Sequence, residues 1–151
     1  RRLCDSHKNF IGLKDSSGNI SLLKEYQTVC PSDFALFTGM DTMVFEAVLN
    51  HAAGAVCGLA NIAPRLIVDI YDQARAGNLE EARRLQLKIS KLRDTYRLGT
   101  FPAVVKAAMN MLGLPAGFTR GPVGPLNPTA HEQLRQTLEE ILDTKINLNQ
   151  S

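Results

Sequence analysis

The sequence predicts an α/β fold in which a short series of parallel strands and crossover helices runs into a long helical extension. Three observations carry this expectation. Strand-like apolar segments alternate with segments of helical period between residues 9 and 57, no strand-like segment follows Asn61, and every periodic segment after Pro64 has helical spacing.

The first strand is expected over Asn9 to Lys14, where Phe10-Ile11-Gly12-Leu13 is closed by a lysine and followed by the turn-rich Asp15-Ser16-Ser17-Gly18-Asn19. Asn19 is placed to cap a helix from Ile20 to Cys30, which Pro31 ends. Phe34 to Thr38 reads as the second strand, Gly39-Met40-Asp41 as a loop, Thr42 to His51 as the second helix, and Gly54 opens a third short strand over Ala55 to Cys57. Strands alternating with helices of about ten residues imply parallel pairing through right-handed crossovers, the building pattern of barrels and doubly wound sheets. Pro64 then leads a helix over Arg65 to Ala76, which Gly77-Asn78 breaks. A long helix is expected from Leu79 to about Leu98, with Leu85, Ile89 and Leu92 on one stripe. Pro102 begins another through Leu112, with Val105, Ala108, Met109 and Leu112 on its apolar face. The glycine- and proline-rich stretch from Gly113 to Pro128 is loop, and a last helix over Thr129 to Leu142 carries Thr129 and Glu132 at capping-box spacing. The tail Asn147 to Ser151 is expected to fray. Residues 1–61 thus hold three βα units and residues 62–151 a final helix and extension, within one structural domain.

Composition narrows the function. A 151-residue chain with 44% hydrophobic and 21% charged residues has an ordinary globular balance. Its formal charge is +2 with the basic residues scattered, so neither a nucleic-acid face nor a membrane face is expected. Cys4, Cys30 and Cys57 are far apart in sequence and odd in number, which suits reduced thiols in the cytoplasm better than a disulfide framework. No metal-ligand spacing is present, and His7, His51 and His131 stand isolated and receive no role. The apolar runs fall short of a membrane span, and the first residues lack a signal-peptide segment. A start at Arg1 suggests a processed or truncated chain. Three parallel strands also make a poor independent sheet, because both faces and both edges need cover.

A lysine closing an apolar strand calls for an explanation. At the carboxyl end of a barrel strand, Lys14 would point toward the active site, where apolar walls depress its pKa and free a neutral amine to attack the ketone of a 2-oxo acid. The bland reading makes Lys14 the first solvated residue of a loop, capped by Asp15. A phosphate cradle formed by Asp15 to Asn19 is a further alternative, without the spacing of a nucleotide-binding loop. Gly39, Asp41 and Val56 border the same rim: Gly39 permits close backbone approach, and Asp41 could accept hydrogen bonds from substrate hydroxyls. Each has its plain counterpart, since Gly39 also suits a turn, Asp41 a helix cap, and Cys57 an inert thiol.

The segment Ile11-Gly12-Leu13-Lys14-Asp15-Ser16-Ser17-Gly18-Asn19 resembles the Schiff-base lysine motif of the dihydrodipicolinate synthase and N-acetylneuraminate lyase superfamily. Gly39-Met40-Asp41 resembles its glycine-acid loop, Gly54-Ala55-Val56-Cys57-Gly58-Leu59-Ala60-Asn61 its eighth strand and following Ala-Asn, Pro102 to Gly113 its Pro-initiated helix, and Arg120-Gly121-Pro122-Val123-Gly124-Pro125-Leu126 the turn before the last helix. The resemblance spans nearly the whole chain. It implies the carboxyl-terminal part of a (β/α)8 TIM barrel, the last three βα units and the helical extension. It implies Lys14 as the covalent residue, the Val56 carbonyl beside a bound pyruvyl group, and Gly39 and Asp41 where the variable part of the substrate is read. No cofactor and no metal are implied, and the extension implies a homotetramer. The first five units, with their Thr-rich carboxylate loop and proton-relaying tyrosine, have no counterpart here, so the chain alone is expected to be inactive. The residues after Lys14 lean toward a 2-keto-3-deoxy sugar acid aldolase or the synthase branch. The rival expectation is a non-catalytic half-barrel acting as an assembly or regulatory module.

Overall fold

The computed structural model describes residues 1–146; the expected fraying of Asn147 to Ser151 lies outside the described residues. The chain opens with a helix that the sequence pattern did not announce, α1 (Arg2–Ser6), too short to show a helical period. Strands β1 (Gly12–Asp15), β2 (Ala35–Thr38) and β3 (Gly54–Ala55) follow, separated by α2 (Ile20–Val29) and α3 (Val44–Leu49). All three strands are parallel, in the order β1-β2-β3. The expected βαβαβ order is therefore present, although its segments are shorter. β1 begins at Gly12 instead of Asn9, and Cys57 lies outside β3, where it leads into a 3-10 turn over Gly58–Asn61. A second 3-10 turn, Asp41–Met43, takes the place of the first turn expected for α3. His51, with φ of 59°, lies beyond the end of that helix.

Register determines what the sheet presents. Lys14 pairs with Phe37, which in turn pairs with Gly54, so these positions form one row across the sheet. Side chains alternate along a strand, so Lys14, Phe37 and Val56 share one face while Leu13 and Leu36 share the other. α2 and α3 pack on β2, and Leu36 is buried. The face bearing Lys14 carries no helix among the described residues.

The remainder is a helical body: α4 (Pro64–Arg75), α5 (Leu79–Arg93), a 3-10 segment Asp94–Leu98, α6 (Ala103–Met111) and α7 (Pro128–Leu142). The buried positions on α4, α5 and α7 recur at helical spacing: Ile67, Ile70 and Ala74, then Leu85, Ile89 and Leu92, then Leu134, Leu138 and Ile141. They meet Leu59 and Val104 in one continuous core. Three sequence expectations need correction here. The long helix is α-helical only to Arg93 and tightens to 3-10 geometry through Leu98. Pro102 caps α6 instead of starting it. The Thr129–Glu132 capping box does not form: Asn127 Oδ1 accepts the Ala130 N–H at 2.8 Å, Pro128 takes the first helical position, and Glu132 turns toward Arg135. No described helix is long and apolar enough to cross a membrane.

Candidate active site

Lys14 stands at the carboxyl end of β1, held by a short relay of side chains that converts strand into helix. Asp15 Oδ1 accepts the Ser17 N–H at 2.8 Å, and its Oδ2 accepts the Ser17 hydroxyl at 2.8 Å. Ser17 Oγ accepts the Asn19 N–H at 3.1 Å, and Asn19 Oδ1 then takes the N–H groups of Ser21 and Leu22 at the start of α2. These residue types favour such local turns, which explains why four polar residues and a glycine follow the lysine at once. Asp15 serves this turn through both oxygens, and the Ser17 and Asn19 side chains each accept backbone N–H groups of the same segment.

Gly39 fixes the neighbouring strand end. Its N–H donates to the Asp15 carbonyl at 2.6 Å, extending the β1–β2 ladder by one residue. A Cβ at Gly39 would collide with Ser16 Oγ and lie 3.0 Å from Ser16 Cβ, so only glycine lets the two rims close up. The glycine's plain role in a turn and its place beside Lys14 are one and the same feature.

Asp41 is 4% exposed and faces inward. Its Oδ1 accepts the Leu59 N–H at 2.8 Å, its Oδ2 lies 3.3 Å from Arg93 Nε, and its carbonyl accepts Gln86 Nε2 at 2.9 Å. The carboxylate thus ties the rim after β2 to the turn after β3, and in this chain it serves those groups rather than an open pocket. A direct hydrogen bond to substrate hydroxyls, anticipated from sequence, meets a side chain already engaged at both oxygens. Gln86 completes the arrangement by accepting the Phe45 N–H at 2.9 Å.

Val56 follows β3 on the Lys14 face and is 56% exposed. Its N–H donates to the Thr38 carbonyl at 2.9 Å, while its own carbonyl accepts no hydrogen bond among the described residues. That oxygen is available to a ligand. Cys57, next in the chain, is half-buried, and burial together with the Asp41 carboxylate pushes its thiol up to about 12, opposed by a backbone hydrogen bond at Ala60. Cys57 is therefore a neutral thiol at physiological pH.

Behind this rim lies a layer that sequence reasoning missed. The Arg93 guanidinium sits 4.1 Å from the Tyr96 ring centroid, and Tyr96 packs on Phe101 with centroids 5.5 Å apart. The Tyr96 hydroxyl is buried with no hydrogen-bond partner among the described residues, and a Cβ at Gly58 would strike it. Burial and the Asp41 charge push the Tyr96 phenol well above its ordinary value. Gln86 carried the one available signal, a polar residue inside the buried stripe of α5.

Lys14 itself is exposed. The apolar walls anticipated around it are not supplied by the described residues, because its face of the sheet is open. A strand-end lysine, an unpaired carbonyl two strands away and glycine-permitted close approach define a βα rim of the kind that barrel enzymes use for small-molecule chemistry.

The chain matches the Dihydrodipicolinate synthetase family over residues 1–141, and it belongs to that family. It is 36% identical over 134 residues to the 4-hydroxy-tetrahydrodipicolinate synthase of Pseudomonas savastanoi pv. phaseolicola, a match covering 88% of this chain and 46% of that protein. Among solved structures it resembles a prophage protein belonging to the dihydrodipicolinic acid synthase family from E. coli K12 in complex with pyruvate, at a TM-score of 0.84, 27% identity, and coverage of 93% of this chain and 49% of that one. It also resembles KD(P)GA from T. tenax, at a TM-score of 0.79 and 28% identity, over 88% of this chain and 47% of that one. The chain spans about half the length of the curated relatives it matches. Its three-stranded parallel sheet and helices accordingly correspond to part of a barrel.

Proposed function

We propose that this chain supplies the last three βα units and the helical extension of a Schiff-base barrel, with Lys14 as the residue that forms an iminium with pyruvate or a related 2-oxo acid. The observation that carries the reading is the row Lys14–Phe37–Gly54, which sets the lysine on the open face at the strands' carboxyl ends, where Val56 offers its unpaired carbonyl. In this reaction the Lys14 amine attacks the ketone carbon and the ketone oxygen leaves as water. The iminium then draws the electrons of the adjacent C–H or C–C bond, so that an enamine forms and a carbon–carbon bond is made or broken. No cofactor enters these steps. Substrate carboxylate binding and proton relay belong to the rest of the barrel, so the 151-residue chain by itself is inactive, and the complete assembly is a cytoplasmic homo-oligomer, a tetramer. The pyruvate complex of the E. coli relative supports the substrate class, and the T. tenax relative keeps a 2-keto-3-deoxy sugar acid aldolase beside the synthase reaction.

Enamine formation exchanges the methyl protons of pyruvate with solvent, which proton NMR in heavy water follows directly. In a completed barrel, exchange should exceed the buffer background and fall to that background in Lys14→Arg, while Lys24→Arg retains it. Equal exchange in Lys14→Arg and the parent protein would defeat the reading and leave the assembly-module alternative in its place.

A further inference from the structure

The three cysteines looked isolated in sequence, yet the fold brings two of them together. Cys4 Sγ and Cys30 Sγ lie 3.9 Å apart, 26 residues distant along the chain. Both are free thiols, partly buried and partly open to solvent. Cys4 sits on α1, and Cys30 is the residue that ends α2, its N–H donating to the Tyr26 carbonyl at 2.9 Å before Pro31 turns the chain. Each position is thus fixed by its own backbone, and the two side chains converge from different elements. Cys57 is set apart on the rim beyond β3, in contact with the Asp41 carboxylate.

We propose that Cys4 and Cys30 form a reversible intramolecular disulfide, a modification site at the end of the strands remote from Lys14. A disulfide bond is about 2 Å long, so side-chain movement of about 2 Å closes the pair, within the reach of χ1 rotation and slight backbone adjustment. The oxidant is a low-molecular-weight disulfide such as oxidised glutathione. One cysteine thiolate attacks it, forming a mixed disulfide and releasing one glutathione thiol; the second cysteine displaces the other glutathione. Two thiols and one glutathione disulfide become one protein disulfide and two glutathione thiols, the two electrons passing to glutathione and the two protons ending on it at neutral pH.

The location gives the bond a consequence. Cys4 precedes β1 and Cys30 precedes β2, so the cross-link closes a loop containing β1, Lys14 and α2. That loop has little core of its own: Leu23 is its one buried residue and packs with Ile20 and with Ala47 and Ala52 outside the loop. A cross-link across a sparsely cored segment suppresses its local opening, because the open state loses chain entropy. The proposal is independent of the Schiff-base reading, since the bond is distant from the lysine's face and its detection needs no activity.

The test exposes the complete, folded, tag-free barrel containing this chain to oxidised glutathione or to a phosphine reductant, blocks free thiols with iodoacetamide, and maps peptides by mass spectrometry. The expected result is a Cys4–Cys30 linked peptide in the oxidised sample, two hydrogens lighter than the reduced pair, with Cys57 not cross-linked. Amide exchange in α1 and α2 should slow by about tenfold or more on oxidation, and Cys4→Ser should remove both effects whereas Cys57→Ser should keep them. Alkylation of both Cys4 and Cys30 after oxidation, a separate glutathione adduct on each, or a linkage that forms only in concentrated urea would overturn the proposal.

Discussion

In the helical part of the molecule Leu59, Ile70, Ile89, Leu92, Leu134 and Leu138 are each almost wholly buried in one cluster; in the strand part Leu23, Ala47 and Ala52 form a small cluster, and Ile11, Lys14 and Val56 stand in solvent. The helices close a core mostly with residues they carry themselves, joined by Val44 and Val48 of α3 and Leu59 of the turn after β3. The sheet does not, since one of its faces has no cover and a parallel sheet is stable only when both are packed. The proposed chemistry is assigned to Lys14 on the uncovered face, whereas most of the buried apolar side chains lie in the helical part. Two features bridge the two parts: Val44 and Val48 of α3 enter the helical core, and Asp41, on the strand rim, is held by Arg93 and Gln86 of α5.

The contrast is broken most forcefully from the helical side. Leu134→Ala removes a side chain with no exposure and should cost up to about 5 kcal/mol, unfolding the body cooperatively in urea. Leu23→Ala, in the smaller cluster, should instead raise amide exchange around α2 while leaving α5 and α7 protected; equal loss everywhere would show that the two regions fold as one unit. Cutting the Asp41 bridge comes next. Asp41→Ala leaves Arg93 and the Leu59 N–H without their partner and should cost about 3 kcal/mol, toward the low end for a buried pair because the Arg93 side chain is 35% exposed. Thermal unfolding measures the loss, and exchange at the Gly58–Asn61 turn should rise with it. Gly39→Ala should cost about 1–3 kcal/mol through its clash with Ser16, and Ser16→Gly in the same chain should restore most of it. Failure of that rescue would mean the rim is not set by this contact.

The smallest effect is electrostatic and confined to α7. The Arg135 guanidinium, aided by Gln136, holds Glu132 down to about 2, against an ordinary 4.5, and the Ile146 N–H together with Arg135 lowers Glu139. Their folded values lie below the unfolded ones, so their contribution is complete above about pH 4.5 and is lost as pH falls toward 2. Arg135→Met should flatten this acid dependence in circular dichroism of the helices. Both carboxylates are solvent-accessible, so the change should shrink in high salt.

Much of this was legible in the sequence, and the reasons differ by residue. The strand order, the α2 cap at Asn19 and the stripes of α4, α5 and α7 follow from local periodicity and local hydrogen bonding, which a short window contains. Lys14 was conspicuous because charge rarely closes an apolar strand. The partners of Asp41 were not legible: Gln86 and Arg93 lie 45 and more residues away, and only the docking of α5 on the rim brings them there. The same holds for Cys4 and Cys30, whose convergence depends on α1, a helix too short to announce itself. The cap of α7 is Asn127 and not Thr129, because Pro128 suits the first helical position and so places the cap one residue before it.

Lys14 is proposed as the covalent residue of a barrel to which this chain contributes the last units. Borohydride reduction in the presence of pyruvate, followed by peptide mapping of the complete barrel, tests it most directly. The predicted result is N-(1-carboxyethyl)lysine at Lys14, with Lys8 and Lys24 unmodified. A folded complete protein in which Lys14 remains unmodified, or in which another lysine carries the adduct, would contradict it.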